Sequence, residues 1–211
     1  MQISIIGVPF TIKGAHGDFE WMIQQQMYSD VLFIFNENYI ASQCNETTKG
    51  AGSAVVRPYT YKLCDNPRAV GVPTGWCVGS GGFKSFDRFS KLAVDYAFDR
   101  IKRVLHEQQH LRRVMFSCDE NDYKTIGSKI FKINENVIQH IMKRFKELED
   151  YDTETEPRKT HDEIDDSEGI LLIHARLHEE NSQLKQELQL YKKRPTSASW
   201  SFMNQSKRFR L

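Results

Sequence analysis

Four short apolar runs, at residues 3–8, 31–35, 69–72 and 114–116, constrain this chain most. Each is β-branched or aromatic, is brief, and has breakers nearby, which is how buried strands covered on both faces read. Between them the period changes. Phe89, Leu92, Ala93, Tyr96, Ala97, Ile101, Val104 and Leu105 recur at three- and four-residue steps. So do Val137, Ile138, Ile141, Met142, Phe145 and Leu148, behind Asn134 or Asn136 as a cap. Both segments predict helices, and a shorter one is expected over residues 19–26. Strands alternating with helices predict an α/β fold, with a mixed, mostly parallel sheet flanked by helices.

A chain of 211 residues buries one good core and leaves too little for a second large domain. Residues 1–149 are expected to form that core. Residues 150–169 read as an acidic linker: positions 151–169 hold eight acids against Arg158 and Lys159, with few large apolar residues. Over residues 170–192, Ile173, Leu177, Leu184, Leu188 and Tyr191 make a near-heptad stripe interrupted by Asn181. That predicts a coiled-coil-like helix, either self-associating into a homo-oligomer or packed back onto the core. Residues 193–211 are expected to be a disordered basic tail. Its two basic runs, Lys192-Lys193-Arg194 and Lys207-Arg208-Phe209-Arg210, suit nucleic acid or a nuclear signal, and equally a solvated surface.

The net charge of +1 gives no global attraction to nucleic acid or membrane. Cys44, Cys64, Cys77 and Cys118 are widely spaced and form no CxxC pair, so they read as reduced structural thiols. No run approaches the ~18 apolar residues of a membrane span. An intracellular protein of the cytosol or nucleus is expected, without membrane attachment, metal or cofactor.

The chemistry concentrates after the second apolar run. That strand is expected to end in Asn36-Glu37-Asn38, and a polar loop then leads to Lys49-Gly50-Ala51-Gly52-Ser53. Ligands of open α/β sheets sit outside the carboxyl ends of strands. Small residues let the backbone approach a phosphate, consecutive N–H groups make an anion nest, and Lys49 adds charge. The same segment also reads as a plain tight turn. It is neither a Walker loop nor a dinucleotide fingerprint, lacking the Gly-Lys-Ser/Thr of the first and the long following helix of the second. Pro58 limits any helix after it to about one turn. Two further strand-end loops have the same character: Gly71 and Thr74 lie in one, and Gly127, Ser128, Lys129, Ile130 and Phe131 in the other. Their convergence would make a pocket for a phosphate-bearing ligand.

The order of these blocks, at 32–38, 50–59, 67–75 and 126–131, resembles the macrodomain family, nearest to its uncharacterised phage-type members. The resemblance covers roughly residues 30–147 and implies binding of ADP-ribose or a related nucleotide, with ADP-ribosyl hydrolase activity left open. It places Asn36 and Asn38 near the distal ribose. It gives residues 50–53 to one side of the diphosphate and residues 127–131 to the other. Two departures stand out: Ala51 replaces a loop glycine, and Lys129 stands where a second glycine is usual. The loop also lacks the histidine of some hydrolytic members.

Three residues are candidates for catalysis: Asn38 at the strand end, Lys49 as an amine nucleophile toward the ribose, and Asp119 as a general base. Against these stand an anion-clamping role for Lys49 and a turn-stabilising one for Asp119. His16 reads as a loop histidine. His174 and His178, at i and i+4, suit a metal or a solvated helix face, with no third ligand evident. Arg57, Arg68 and Arg88 either complement phosphates or are surface charge. Two rival functions stay open: a non-catalytic oligomeric interaction protein working through the arm, and a nucleic-acid accessory protein using the tail.

Overall fold

The computed structural model describes residues 2–9, 16–43, 50, 52–60, 63–77, 81–127, 132–154 and 175. The chain divides into two compact units, Met1–Leu172 and Ile173–Leu211, and every described residue but Ala175 belongs to the first. The expected arm helix, the basic tail, His174 and His178 lie outside the described residues.

Five strands form one sheet: β1 (Ser4–Pro9), β2 (Val31–Asn38), β3 (Ala69–Gly75), β4 (Arg113–Asp119) and β5 (Asp122–Ile126). The order is β1-β4-β2-β3 with every neighbour parallel, and β5 turns back antiparallel on the end of β4. The helices are α1 (Phe19–Met22), α2 (Tyr39–Gln43), α3 (Arg88–Glu107) and α4 (Glu135–Glu149). Two 3-10 turns, Gln26–Tyr28 and Gly52–Tyr59, complete the set among the described residues. The α/β architecture and the mostly parallel sheet are as the sequence predicts.

Alternation along β2 sorts the core into two faces. Val31, Phe33 and Phe35 pack with Phe19, Met22 and Ile23 on one face, under Ala54, Val55 and Val56 of the second 3-10 turn. The opposite face takes α3 and α4, where Phe145 stacks on Phe116 at 4.7 Å and meets Phe98 edge-on at 5.0 Å. Each of these rings is worth about 3–5 kcal/mol against truncation to alanine. Asp87 caps α3 through the N–H groups of Phe89 and Ser90, and Asn134 caps α4 through that of Asn136.

Three details differ from the sequence reading. β1 is a half-buried edge strand, because it neighbours β4 alone. α1 stops at Met22, where i→i+3 bonds such as Gln25 N–H to the Met22 carbonyl turn the chain toward β2. Past Glu149 the chain still packs: Thr153 is buried, its carbonyl 3.0 Å from His106 Nδ1, and Lys102 lies over the Tyr151 ring. The remainder of the expected linker, from residue 155, lies outside the described residues.

Candidate functional site

β2 and β4 pair from Val31 to Ile34 and part beyond that point. Gly127, at the end of β5, sits where they part. Its N–H donates to the Ser117 carbonyl at 2.7 Å, and a Cβ on it would collide with the Asn36 carboxamide. Its φ of +92° is a second reason for glycine. On the other side of β2, the register with β3 slips by one residue: Glu37 opposes Pro73, Asn38 opposes Gly75, and Thr74 is the extra residue. Bulges of this kind re-aim a side chain at a strand end. Thr74 Oγ1 thereby accepts from Asn36 Nδ2 at 3.4 Å, and its carbonyl takes the Phe83 N–H at 2.7 Å. Asn36 Oδ1 is buried and has no hydrogen-bond partner among the described residues.

The opposite side of β2 carries Glu37, on the face that Phe33 and Phe35 share. Its carboxylate accepts from Arg57 Nε at 2.6 Å and Nη2 at 2.8 Å, and from the Asn38 N–H at 2.8 Å. The Glu37 side chain is 3% exposed and that of Arg57 12%. Gly50 lies against this pair, since a Cβ there would stand 3.0 Å from Arg57 Nη2. The Gly50 N–H donates to the Ala54 carbonyl at 3.0 Å, closing the turn before the 3-10 segment. Gly52 adopts φ +59°, and a Cβ built on it meets no described atom within 4 Å.

The structure thus brings together Asn36, Thr74 and Gly127, with Asn38 at the end of the same strand, while Gly50, Gly52 and Ser53 belong to the turn on the Glu37–Arg57 side of β2. Lys49, Ala51, Ser128, Lys129, Ile130 and Phe131 lie outside the described residues. Gly71 does not belong to this group. It sits inside β3 opposite Phe35, where a Cβ would come 2.7 Å from Glu37 Cβ, so the absent side chain makes room for Glu37. The Gly50 amide, expected as an anion donor, is spent on Ala54. Arg57 is a buried partner of Glu37 rather than surface charge. Arg68 stands at the other end of the sheet, its Nη1 donating to the Ile23 carbonyl at 3.0 Å and its Nη2 to that of Tyr28. Arg88 is exposed at the start of α3. Asp119 is buried at the end of β4, where it accepts from the Asn121 N–H at 2.9 Å and so shapes the β4–β5 turn. His16 stacks on Trp21, ring centres 3.9 Å apart.

Sequence reasoning passed over two features. The Glu37–Arg57 pair is 20 residues apart in sequence, with no local signal. A cavity of about 700 Å³, lined by Gly81, Gly82, Phe83, Lys84, Lys132, Asn134, Glu135 and Asn136, opens elsewhere than at Asn36. It touches the strand-end group through the Phe83–Thr74 bond, and its lysines are exposed surface residues.

The thiol of Cys118 is pushed up to about 11 by burial and by the nearby Asp119 and Asp122, so it stays protonated and unreactive near neutrality. Burial likewise pushes the Tyr39 phenol up to about 12, with Tyr96 adding to the shift and Arg100 opposing it. Among the described residues no cluster of three or more His, Cys, Asp or Glu side chains could hold a metal ion. No helix among them is long and apolar enough to cross a membrane. No protein-family model matches the chain, and comparisons with curated proteins and with solved structures return no match.

Proposed function

We propose that the carboxyl edge of this sheet binds ADP-ribose or a related phosphate-bearing nucleotide, in a macrodomain-like arrangement. The observation that carries the reading is Asn36. A buried acceptor without a partner costs about 1–3 kcal/mol, and a ligand hydroxyl at this place would satisfy Oδ1 while Thr74 holds the other end of the carboxamide. The place itself is where an open parallel sheet offers a crevice, between strands that part. No described atom lies within 4 Å of a Cβ built on Gly52, where a phosphate would sit against the turn.

Binding is favoured over removal of ADP-ribose. The two carboxylates nearest the edge, Glu37 and Asp119, are engaged with Arg57 and with the β4–β5 turn. A general base needs a carboxylate free to reach a water or hydroxyl.

Calorimetric titration of the full chain with ADP-ribose tests the reading, with Gly52→Glu as the blocked control. The variant directs a negative, bulky side chain into the open space. Micromolar binding by the parent and none by folded Gly52→Glu is the expected result. No heat with ADP-ribose, nor with other nucleotides, from a folded chain overturns the reading and turns attention to the interaction protein and its arm.

A further inference from the structure

We infer that Glu37 and Arg57 are positioning residues, which lock the glycine-rich turn to the end of β2 so that Asn38 and the space beside Gly52 address one ligand together. The inference rests on the nucleotide-binding reading, which alone assigns these two residues nothing.

Alternation places Glu37 on an apolar face, next in line after Phe33 and Phe35. An apolar residue filling that position would serve stability as well or better, because burying two charges carries a desolvation cost. What the ion pair adds is direction. Both carboxylate oxygens meet the planar fork of the guanidinium, and a fork fixes orientation where an apolar contact slides. The same carboxylate takes the Asn38 N–H, the amide at the slip in register, and so sets how the last residue of β2 leaves the strand. Gly50 lies against Arg57 Nη2, and Gly71 gives Glu37 its room. Three segments therefore refer to one ion pair: the end of β2, the turn from Gly50 into the 3-10 segment, and β3. Displacement of a binding turn by about 1 Å is enough to cost orders of magnitude in a site that must be pre-formed.

The test uses the full chain carrying Glu37→Gln, Arg57→Lys or, as a control for lost stability, Phe98→Leu on the far face. ADP-ribose affinity is measured for the folded fraction of each, together with amide hydrogen exchange at Gly50 and Asn38. Both pair variants are expected to bind about tenfold or more weakly, while Phe98→Leu, with comparable loss of Tm, stays close to the parent. Arg57→Lys keeps the charge and loses the fork. If it binds like the parent, or if the control falls as far as the pair variants, the pair is merely structural and the inference is overturned. If the parent binds no nucleotide, the binding reading fails by itself, and exchange still decides the geometry. Faster exchange at Gly50 and Asn38 in Glu37→Gln than in the control supports the lock, and unchanged exchange removes it.

Discussion

The two ends of β2 are built on opposite plans. At its start, Asp30 and Arg113 form a two-pronged ion pair, with Arg113 Nε donating to Oδ2 at 2.9 Å and Nη2 to the other oxygen. Arg113 also caps the Met27 carbonyl and lies over the Tyr28 ring. Arg68 gives Nη1 and Nη2 to two carbonyls and lies over Phe33, although its Nε is buried without a partner among the described residues. Cations there tie the loops that enter the sheet to the strands themselves. At the other end, eight residues along, the strand finishes beside a bulge at Thr74 of β3 and beside Gly127, which has a positive φ, and it carries a carboxamide oxygen without a partner among the described residues. One end is sealed by cations that tie its loops together, Arg68 Nε aside. The other leaves a carboxamide acceptor where the proposed ligand would add a hydrogen bond.

Exchanging the two ends in experiment is the sharpest way to break this comparison. The largest effect is expected at the sealed end. Arg68→Ala leaves the Ile23 and Tyr28 carbonyls unpaired and removes the cation over Phe33, for a loss of about 3 kcal/mol in urea unfolding. ADP-ribose affinity of the folded fraction should be unchanged. Asn36→Ala should do the reverse. It deletes one long hydrogen bond together with an unsatisfied oxygen, so stability should move by no more than about 0.5 kcal/mol. Affinity should fall by about thirtyfold, equivalent to about 2 kcal/mol. A loss of stability at Asn36 as large as that at Arg68 would mean that the carboxamide is structural, and the contrast between the two ends would disappear.

The sealed end was illegible in the sequence and the open end partly legible, for one physical reason. Strands and long helices announce themselves by period, so β1 to β4, α3 and α4 could be placed from the spacing of residues such as Phe89, Tyr96 and Ile101. Asn36 and Asn38 follow a buried run directly, and their position at its carboxyl end follows from the chain direction of a parallel sheet. The long-range partners carry no such mark. Arg113 finds Asp30 across 83 residues, and Arg68 finds Ile23 across 45, so nothing singled out the first and the second read as a phosphate complement or surface charge. β5 was hidden because Asp122, Lys124 and Thr125 make a polar strand, which antiparallel pairing with β4 permits. Gly71 misled for a related reason. Its lack of a side chain serves Glu37, which only the register of β2 against β3 reveals.

Acid provides the smallest and most selective probe of the contrast. The hydrogen bond from Arg113 holds the Asp30 carboxyl below its ordinary value of 3.8, against the opposing effect of burial. A carboxyl lowered in the folded state contributes stability that is fully present above its unfolded value. That contribution is lost as pH falls through the folded value, so the window lies below about pH 4. Asp30→Asn should therefore flatten part of the acid limb of the stability curve in that window. The slope should not vanish, because Asp87 and Asp95 are also held low. In both, burial pushes the carboxyl up and hydrogen bonds outweigh it, from Ser85 and the helix N–H groups in one and from Lys91 and His140 in the other. The side chains of Asp30 and Arg113 are 36% and 31% exposed, so added salt should screen their pair and shrink the difference between parent and variant. Neither pH nor salt acts on the neutral carboxamide of Asn36. Nucleotide binding measured on the folded chain should accordingly be the same in Asp30→Asn as in the parent, and a shared loss would show that the sealed end reaches the ligand edge through the strand it anchors.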